Sequence, residues 1–391
     1  MTSDAPLIYL IAGEPSGDLL GARLMAALKR QTKGDVRFAG IGGEEMQAEG
    51  LISLFPMGEL SVMGLVEVLP RLPRILRRIR QTLSDIETKS PDALVTIDSW
   101  GFCGRIHGGL KERGIRVPRI HYVAPMVWAW KKGRTRSLAQ VLDLLLTLFP
   151  NEPAWFEKEG LRSVHVGHSV IEGGAGQGNG MAFRARHGLS PDQRILCLLP
   201  GSRRSETSRL LPVFGATLDR LAIRYPDLVV AVPTVETVAE EVIQAAAGWK
   251  LPTMVLRGAT ERFDAFAASS AALAASGTVA LELAMADVPA VIAYRVSPVS
   301  AFVATRFMGL DLKFVSLVNI LAERSVMPEL LQDNCRPERL AAAVAELLDD
   351  QNAVDAQHIG AREALTRLGL GETSPSARAA ETILSFIGGR Q

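Results

Sequence analysis

Short apolar runs, each closed by small or turn-forming residues and followed by a helix-like pattern, recur from one end of this chain to the other. In the first half the strand candidates are Leu7–Ala12, Val36–Ile41, Ala93–Asp98, Arg119–Ala124 and Leu144–Leu148. The second half adds Ile195–Leu199, Leu228–Val232, Thr253–Leu256, Ala271–Ala275, Ala290–Tyr294 and Phe314–Leu317. Continuous apolar runs suit strands covered on both faces, and the helices between them suit parallel crossovers. The pattern therefore predicts an α/β chain of βαβ units. At 391 residues the chain is long enough for two such domains, each with its own core. The stretch Glu172-Gly-Gly-Ala-Gly-Gln-Gly-Asn-Gly180 separates the two series and reads as a linker or a mobile loop beside it. Two Rossmann-like, doubly wound domains facing across a cleft are expected, with ligands at the carboxyl ends of the strands.

Bulk properties narrow the function classes. Hydrophobic residues make up 48% of the chain, which fits a packed enzyme and argues against disorder. A net charge of +1 gives no global attraction to nucleic acid, so an anionic partner must meet a local patch. Cys103, Cys197 and Cys335 lie far apart, with neither metal-ligand spacing nor a disulfide framework, as in a reducing cytoplasm. The N-terminus lacks a basic n-region, and Leu7–Ala12 is too short for a secretory h-region. Even the run Val141–Phe149 is broken by Asp143, so no membrane-spanning helix is expected.

Several loops carry chemistry. Leu196-Cys-Leu-Leu-Pro-Gly-Ser-Arg-Arg-Ser-Glu206 reads as strand, turn and helix start, with Ser202 a candidate cap. N–H groups after Gly201, the positive helix end, Arg203 and Arg204 suit a phosphate or diphosphate, although a capped helix with solvated arginines has the same pattern. The Lys-Ser/Thr ending of a Walker loop is missing. Ala12-Gly-Glu-Pro-Ser-Gly-Asp18 sets Glu14, Ser16, Gly17 and Asp18 after the first strand, with Ser16 and Asp18 equally able to cap the helix. Phe38-Ala-Gly-Ile-Gly-Gly43 is a second glycine cluster after a strand. Asp98, at the end of its strand beside Ser99 and Trp100, is placed either as a general base or as a helix cap. Ser276, Gly277 and Thr278 offer hydroxyls and N–H groups to a diphosphate, and Glu282, one turn on, can accept from vicinal hydroxyls such as those of a ribose. Two tryptophans in His121-Tyr-Val-Ala-Pro-Met-Val-Trp-Ala-Trp130 can cover a sugar or acyl chain, or pack in the core. His165 and His168 fall where a strand runs into a turn, which favours a structural role over a metal site. From Val62 to Arg80 an apolar segment leads into a basic amphipathic helix. Val66, Val68, Leu69, Leu72, Ile75 and Leu76 with Arg74, Arg77 and Arg78 form a candidate contact with an anionic membrane surface, packing on the domain's own sheet being the competing account.

Taken together, these segments resemble the lipid-A-disaccharide synthase family over about Ile11 to Leu331. The likeness rests on Ala12–Asp18, Phe38–Gly43, Met63-Gly-Leu-Val-Glu-Val-Leu69, His121–Trp130, Leu199–Arg203, Ala275–Thr278 and Val315-Ser-Leu-Val-Asn-Ile-Leu321, in the expected order. Two departures stand out. Trp100 and Cys103 occupy places often held by proline and asparagine, and Val166-Gly-His-Ser169 replaces a common Gly-His-Pro.

The resemblance implies a GT-B fold and an inverting transfer from UDP-2,3-diacylglucosamine to 2,3-diacylglucosamine 1-phosphate, giving the β-1,6 disaccharide 1-phosphate and UDP. It implies work at the cytoplasmic face of a Gram-negative inner membrane, with peripheral association. The expected division is an acceptor domain over 1–170, a UDP-sugar domain over 171–365, and a C-terminal helix in 366–391 that returns to the first domain or reaches a second copy, which leaves a homodimer open. In this scheme Asp98 is the base and Glu14 its reserve or a donor-sugar contact. Ser16 and Gly17 lie on the substrate, Gly201, Ser202, Arg203 and Ser276–Thr278 meet the diphosphate, Glu282 the ribose, and Asn319 contacts the nucleotide or bridges the cleft. No metal or separate cofactor is expected, since UDP is part of the donor and leaves as product. The other readings are a different UDP-sugar enzyme of this fold, such as an epimerase or a transferase to a soluble acceptor, and a non-catalytic lipid-binding protein.

Overall fold

The computed structural model describes residues 5–60, 65–125, 133–295 and 313–389, with side chains of the helix Leu65–Lys89 from Leu72 onward. Among these residues, twelve strands form two parallel sheets of six. The chain divides into one unit of residues 1–169 and 372–391 and a second of residues 170–371.

In the first unit the strands are β1 (Leu7–Ala12), β2 (Arg37–Ile41), β3 (Ala93–Ile97), β4 (Arg119–Tyr122), β5 (Leu144–Thr147) and β6 (Ser163–His165). Their order is β2-β1-β3-β4-β5-β6. The sequence turns back between β1 and β3, which pair with Ala12 opposite Ile97. β3 and β5 are buried along their whole length, which explains their unbroken apolar runs. The C-terminal helix Pro375–Gly388 belongs to this unit. Ala379, Ala380, Ile383, Phe386 and Ile387 enter the core beside Leu24 and Leu28 of the helix Pro15–Gln31. Arg378 donates to the His165 carbonyl at 2.8 Å, and Gln31 donates to the Ala377 carbonyl at the same distance.

In the second unit the strands are β7 (Ile195–Leu199), β8 (Val229–Thr234), β9 (Thr253–Arg257), β10 (Ala271–Ala275), β11 (Ala290–Tyr294) and β12 (Glu329–Leu331). They run β12-β11-β10-β7-β8-β9, the dinucleotide-fold order with its reversal between β7 and β10. Phe314–Leu317 is not the strand its apolar run suggests. The N–H groups of Val315 and Ser316 bond to the Glu329 carboxylate, at 2.9 and 2.8 Å, and Leu317 opens a helix ending at Ala322.

The glycine-rich stretch is not a loose tether. A Cβ on Gly178 would lie 2.0 Å from the Phe263 carbonyl oxygen, and one on Gly180 would lie 2.5 Å from that of Ala267. These glycines serve close backbone approach within the second unit rather than chain freedom.

Candidate active site

In an open parallel sheet, the loops on either side of an order reversal diverge and leave a crevice at the strand ends. Each unit has such a point, and the loops singled out in the sequence lie there. In the first unit, Gly13 follows β1 and Asp98 follows β3. A Cβ on Gly13 would lie 2.7 Å from Ser99 Oγ, so the missing side chain lets the two loops meet. Asp98 and Ser99 are both left-handed, with φ of +51° and +43°, and Val123, at the end of neighbouring β4, has φ of +81°. Left-handed non-glycine residues each cost about 1–2 kcal/mol, so three at adjoining strand ends mark a place where geometry overrides local preference.

Ser99 occupies the cap position of the helix Trp100–Glu112, without a side-chain cap bond. Asp98 is therefore not the helix cap, and among the described residues its carboxylate has no hydrogen bond or ion pair. It is half-buried at the crevice. Ser16 is exposed on the first turn of the helix Pro15–Gln31, whereas Gly17 is buried, its missing Cβ 3.5 Å from the Ile97 carbonyl. Glu14 is half-buried at the cap position of that helix. Asp18 serves another helix. Its carboxylate accepts from the N–H groups of Gly43, Glu45 and Met46 at 2.7, 3.0 and 3.2 Å, anchoring the start of the helix Glu44–Ala48.

Behind the Asp98 turn lies a polar cluster that the sequence reading missed. Thr96 Oγ1 sits between His107 Nε2 at 2.8 Å and His121 Nδ1 at 2.7 Å, all three residues fully buried. Burial pushes both imidazoles down, His121 to about 3, so they are neutral. Trp100 stacks on His107 and meets His121 edge-on. Cys103 is also buried, its thiol raised to about 12 by desolvation. Trp100 and Cys103 thus pack into the support of the Asp98 turn. A signal was present, since Thr96 and His121 interrupt apolar strands and are register partners.

In the second unit, β7 leads through Pro200 to Arg203, and the helix runs Arg204–Arg224. Arg203, not Ser202, is the cap residue. Gly201 has φ of +112°, and its missing Cβ leaves room for Glu206 at 2.5 Å. The Glu206 carboxylate accepts from the N–H groups of Ser202 and Arg203 at 3.0 and 3.3 Å and pairs with the Arg203 guanidinium at 3.1 Å. The N–H groups of Ser202 and Arg203 are therefore already satisfied by a carboxylate, and the Arg203 side chain is 64% exposed.

After β10, Gly277 and Thr278 are exposed while Ser276 Oγ donates to the Val315 carbonyl at 3.3 Å. Glu282 pairs with Arg262, whose guanidinium lies over the rings of Phe263 and Phe266. Desolvation raises the Glu282 carboxyl and Arg262 opposes the rise. Asn319 does not reach toward a ligand. It is fully buried, its amide donating to the Met327 carbonyl and to Glu329, both at 2.8 Å. Its oxygen accepts from the Val326 and Met327 N–H groups at 2.8 and 2.9 Å. With all four hydrogen-bonding positions used, Asn319 holds the loop together instead of contacting a nucleotide.

The lipid-A-disaccharide synthetase family model matches residues 8–383. The chain belongs to that family. The lipid-A-disaccharide synthase of Paramagnetospirillum magneticum is 71% identical over 381 residues, covering 97% of each chain. That of Rhodospirillum centenum is 55% identical over 381 residues, 97% of this chain and 94% of its own. Among solved structures, a putative UDP-N-acetylglucosamine 2-epimerase from Listeria monocytogenes aligns with a TM-score of 0.66 at 14% identity, covering 99% and 96% of the two chains. Acinetobacter baumannii MurG aligns at 0.57 and 16%, covering 98% and 99%. These likenesses carry the fold, which is GT-B. As a member of the lipid-A-disaccharide synthase family the chain is a glycosyltransferase of lipid A biosynthesis.

The helix Leu65–Lys89 carries the residues expected from the sequence to face a membrane surface. Leu72 and Leu76, one turn apart, are 40% and 43% exposed, and Arg74 and Arg77 are exposed beside them. Two residues of the expected membrane face turn inward instead. Ile75 packs on the core around Tyr9 and Ile79. Arg78 makes a two-pronged pair with Glu59, at 2.9 and 2.6 Å, and covers the Phe55 ring. The side chains of Val66, Val68 and Leu69, like Trp128 and Trp130, lie outside the described residues. Among the described residues no helix is long and apolar enough to cross a membrane. His165 bonds to the Leu148 carbonyl at 3.2 Å, and His168 is buried against Phe149.

Proposed function

We propose that this enzyme transfers 2,3-diacylglucosamine from its UDP derivative to the 6-hydroxyl of 2,3-diacylglucosamine 1-phosphate, with inversion, forming the β-1,6 disaccharide 1-phosphate and UDP. Direct displacement needs a base for the acceptor proton and neutralisation of the leaving diphosphate. Asp98 takes the proton as the hydroxyl oxygen attacks the anomeric carbon. The bond to the diphosphate breaks on the opposite side, and its electron pair leaves with UDP. The observation that carries the base assignment is the Asp98 carboxylate itself, without a hydrogen bond or ion pair among the described residues, on a left-handed turn at the strand-order reversal. Glu14, at the facing loop, is the reserve base or a sugar contact. Arg203 and the Ser276–Thr278 turn meet the diphosphate, and Glu282 accepts from the ribose hydroxyls.

The exposed Leu72, Leu76, Arg74 and Arg77 support docking on the anionic cytoplasmic face of the inner membrane, where both lipids reside. The reaction is tested by incubating the protein with both acylated sugars and identifying the products by mass. A tetraacyl disaccharide 1-phosphate with stoichiometric UDP is expected, and transfer to a non-acylated sugar alone would refute the substrate assignment. Asp98→Asn is expected to lower turnover about 10²–10⁴-fold, the range of a general base, while UDP affinity stays unchanged. Near-normal turnover would remove Asp98 from that role.

A further inference from the structure

Arg262 has no part in the scheme above, yet its surroundings tie it to the donor site. It reaches from the start of the helix Arg262–Ala268 to Glu282 on the helix Val279–Met285. Its guanidinium carbon lies 4.9 Å from the Phe263 ring centroid and 5.7 Å from that of Phe266, so the fork is held by stacking as well as by charge. Among the described residues its buried Nε has no hydrogen-bond partner, which is costly unless the group has a use or the pair is strongly held. The side chains of Arg262 and Glu282 are 30% and 23% exposed, so the pair is largely desolvated but still reachable.

A carboxylate offers about four acceptor positions, and one Arg262 contact leaves the rest for hydroxyl donors. Arg262 is the charge that opposes the desolvation of Glu282, and its stacked, two-ring seat fixes the direction from which it holds that carboxyl. We propose that Arg262 is a positioning residue for ribose recognition, holding the Glu282 carboxyl in one orientation so that the donor site selects a ribonucleoside diphosphate over its 2′-deoxy counterpart. This inference rests on the reading that Glu282 accepts from the ribose hydroxyls.

The test compares UDP and 2′-deoxy-UDP binding by calorimetry for the full-length wild type, Arg262→Met, Arg262→Lys and Glu282→Gln. Hydrogen bonds to a charged acceptor predict wild-type discrimination of about tenfold or more. Arg262→Met is expected to bring UDP affinity down to within about threefold of 2′-deoxy-UDP affinity, and to leave the latter near its wild-type value, which also reports that the site is folded. Arg262→Lys keeps the charge but loses the planar fork, and is expected to fall between the two. Equal weakening of both ligands by Arg262→Met would overturn the proposal in favour of a structural or diphosphate role. Wild-type discrimination in Arg262→Met, with discrimination lost in Glu282→Gln, would overturn it while leaving the ribose reading intact. Discrimination retained in Glu282→Gln would remove both.

Discussion

Replacing Gly13 with alanine probes how tightly the base loop depends on the loop beside it. The new methyl would lie 2.7 Å from Ser99 Oγ and 2.9 Å from Ser99 Cβ, whereas ordinary contact begins near 3.4 Å. Ser99 must therefore withdraw by about 0.7 Å, and Asp98 is its direct neighbour on the same left-handed turn. Overpacking of this size costs about 1–3 kcal/mol of stability. A shift approaching an ångström at a reacting group costs up to about a hundredfold in rate, so turnover is expected to drop ten- to a hundredfold, roughly. With the diphosphate and ribose contacts proposed on the second unit, UDP affinity should not change. Turnover is read by UDP release, affinity by calorimetry, and stability by urea unfolding. The decisive variant is Gly13→Ala in a Ser99→Gly background. That change removes both obstructing atoms and suits φ of +43°. There the alanine is expected to cost less than about threefold relative to Ser99→Gly alone. Full activity in the single Gly13→Ala variant, or an equal loss in both backgrounds, would refute the reasoning.

Two further outcomes follow from buried histidines and from the exposed helix face. Burial moves His121 to about 3 and His168 to about 4, below the ordinary 6.5. The fold holds the neutral forms, so their contribution is complete above pH 6.5 and disappears as pH falls toward the folded values, by up to about 1.4 kcal/mol per pH unit for each histidine. Urea unfolding at pH 7.5 and 5.5 should show this fall, and His168→Gln should make it shallower; an unaltered slope would contradict the assignment. Serine at both Leu72 and Leu76 is expected to weaken sedimentation with anionic vesicles about tenfold or more while UDP binding persists, and unchanged sedimentation would reject the docking face.

The sequence shows the central strands plainly because burial on both faces demands unbroken apolar runs, as in Ile195–Leu199 and Ala271–Ala275. The short edge strands β6 and β12 escape this signal, although the longer edge strands β2 and β9 do not. Neither Ser163–His165 nor Glu329–Leu331 has more than three residues, and both are only partly buried. Phe314–Leu317 misleads in the other direction, since its apolar side chains are only half-buried while the Val315 and Ser316 N–H groups are taken by Glu329. At the site, strand-end loops are visible from composition, but partners distant in the chain are not. The occupation of the Gly201 turn by Glu206, the pairing of Glu282 with Arg262, and the burial of Asn319 depend on contacts that spacing alone does not specify. Conversely, Asp98 loses its alternative as a helix cap only when backbone angles are seen.

The return of Pro375–Gly388 to the first unit makes the second unit an insertion within a discontinuous one. During synthesis the ribosome delivers residues 170–371 before Ala379, Ile383 and Phe386, which complete the core around Leu24 and Leu28. The second unit can thus mature on the nascent chain while the unit bearing Asp98 stays unfinished until Pro375–Gly388 emerges. On the proposed assignment of nucleotide to the second unit, products truncated before that helix would bind UDP without turning it over.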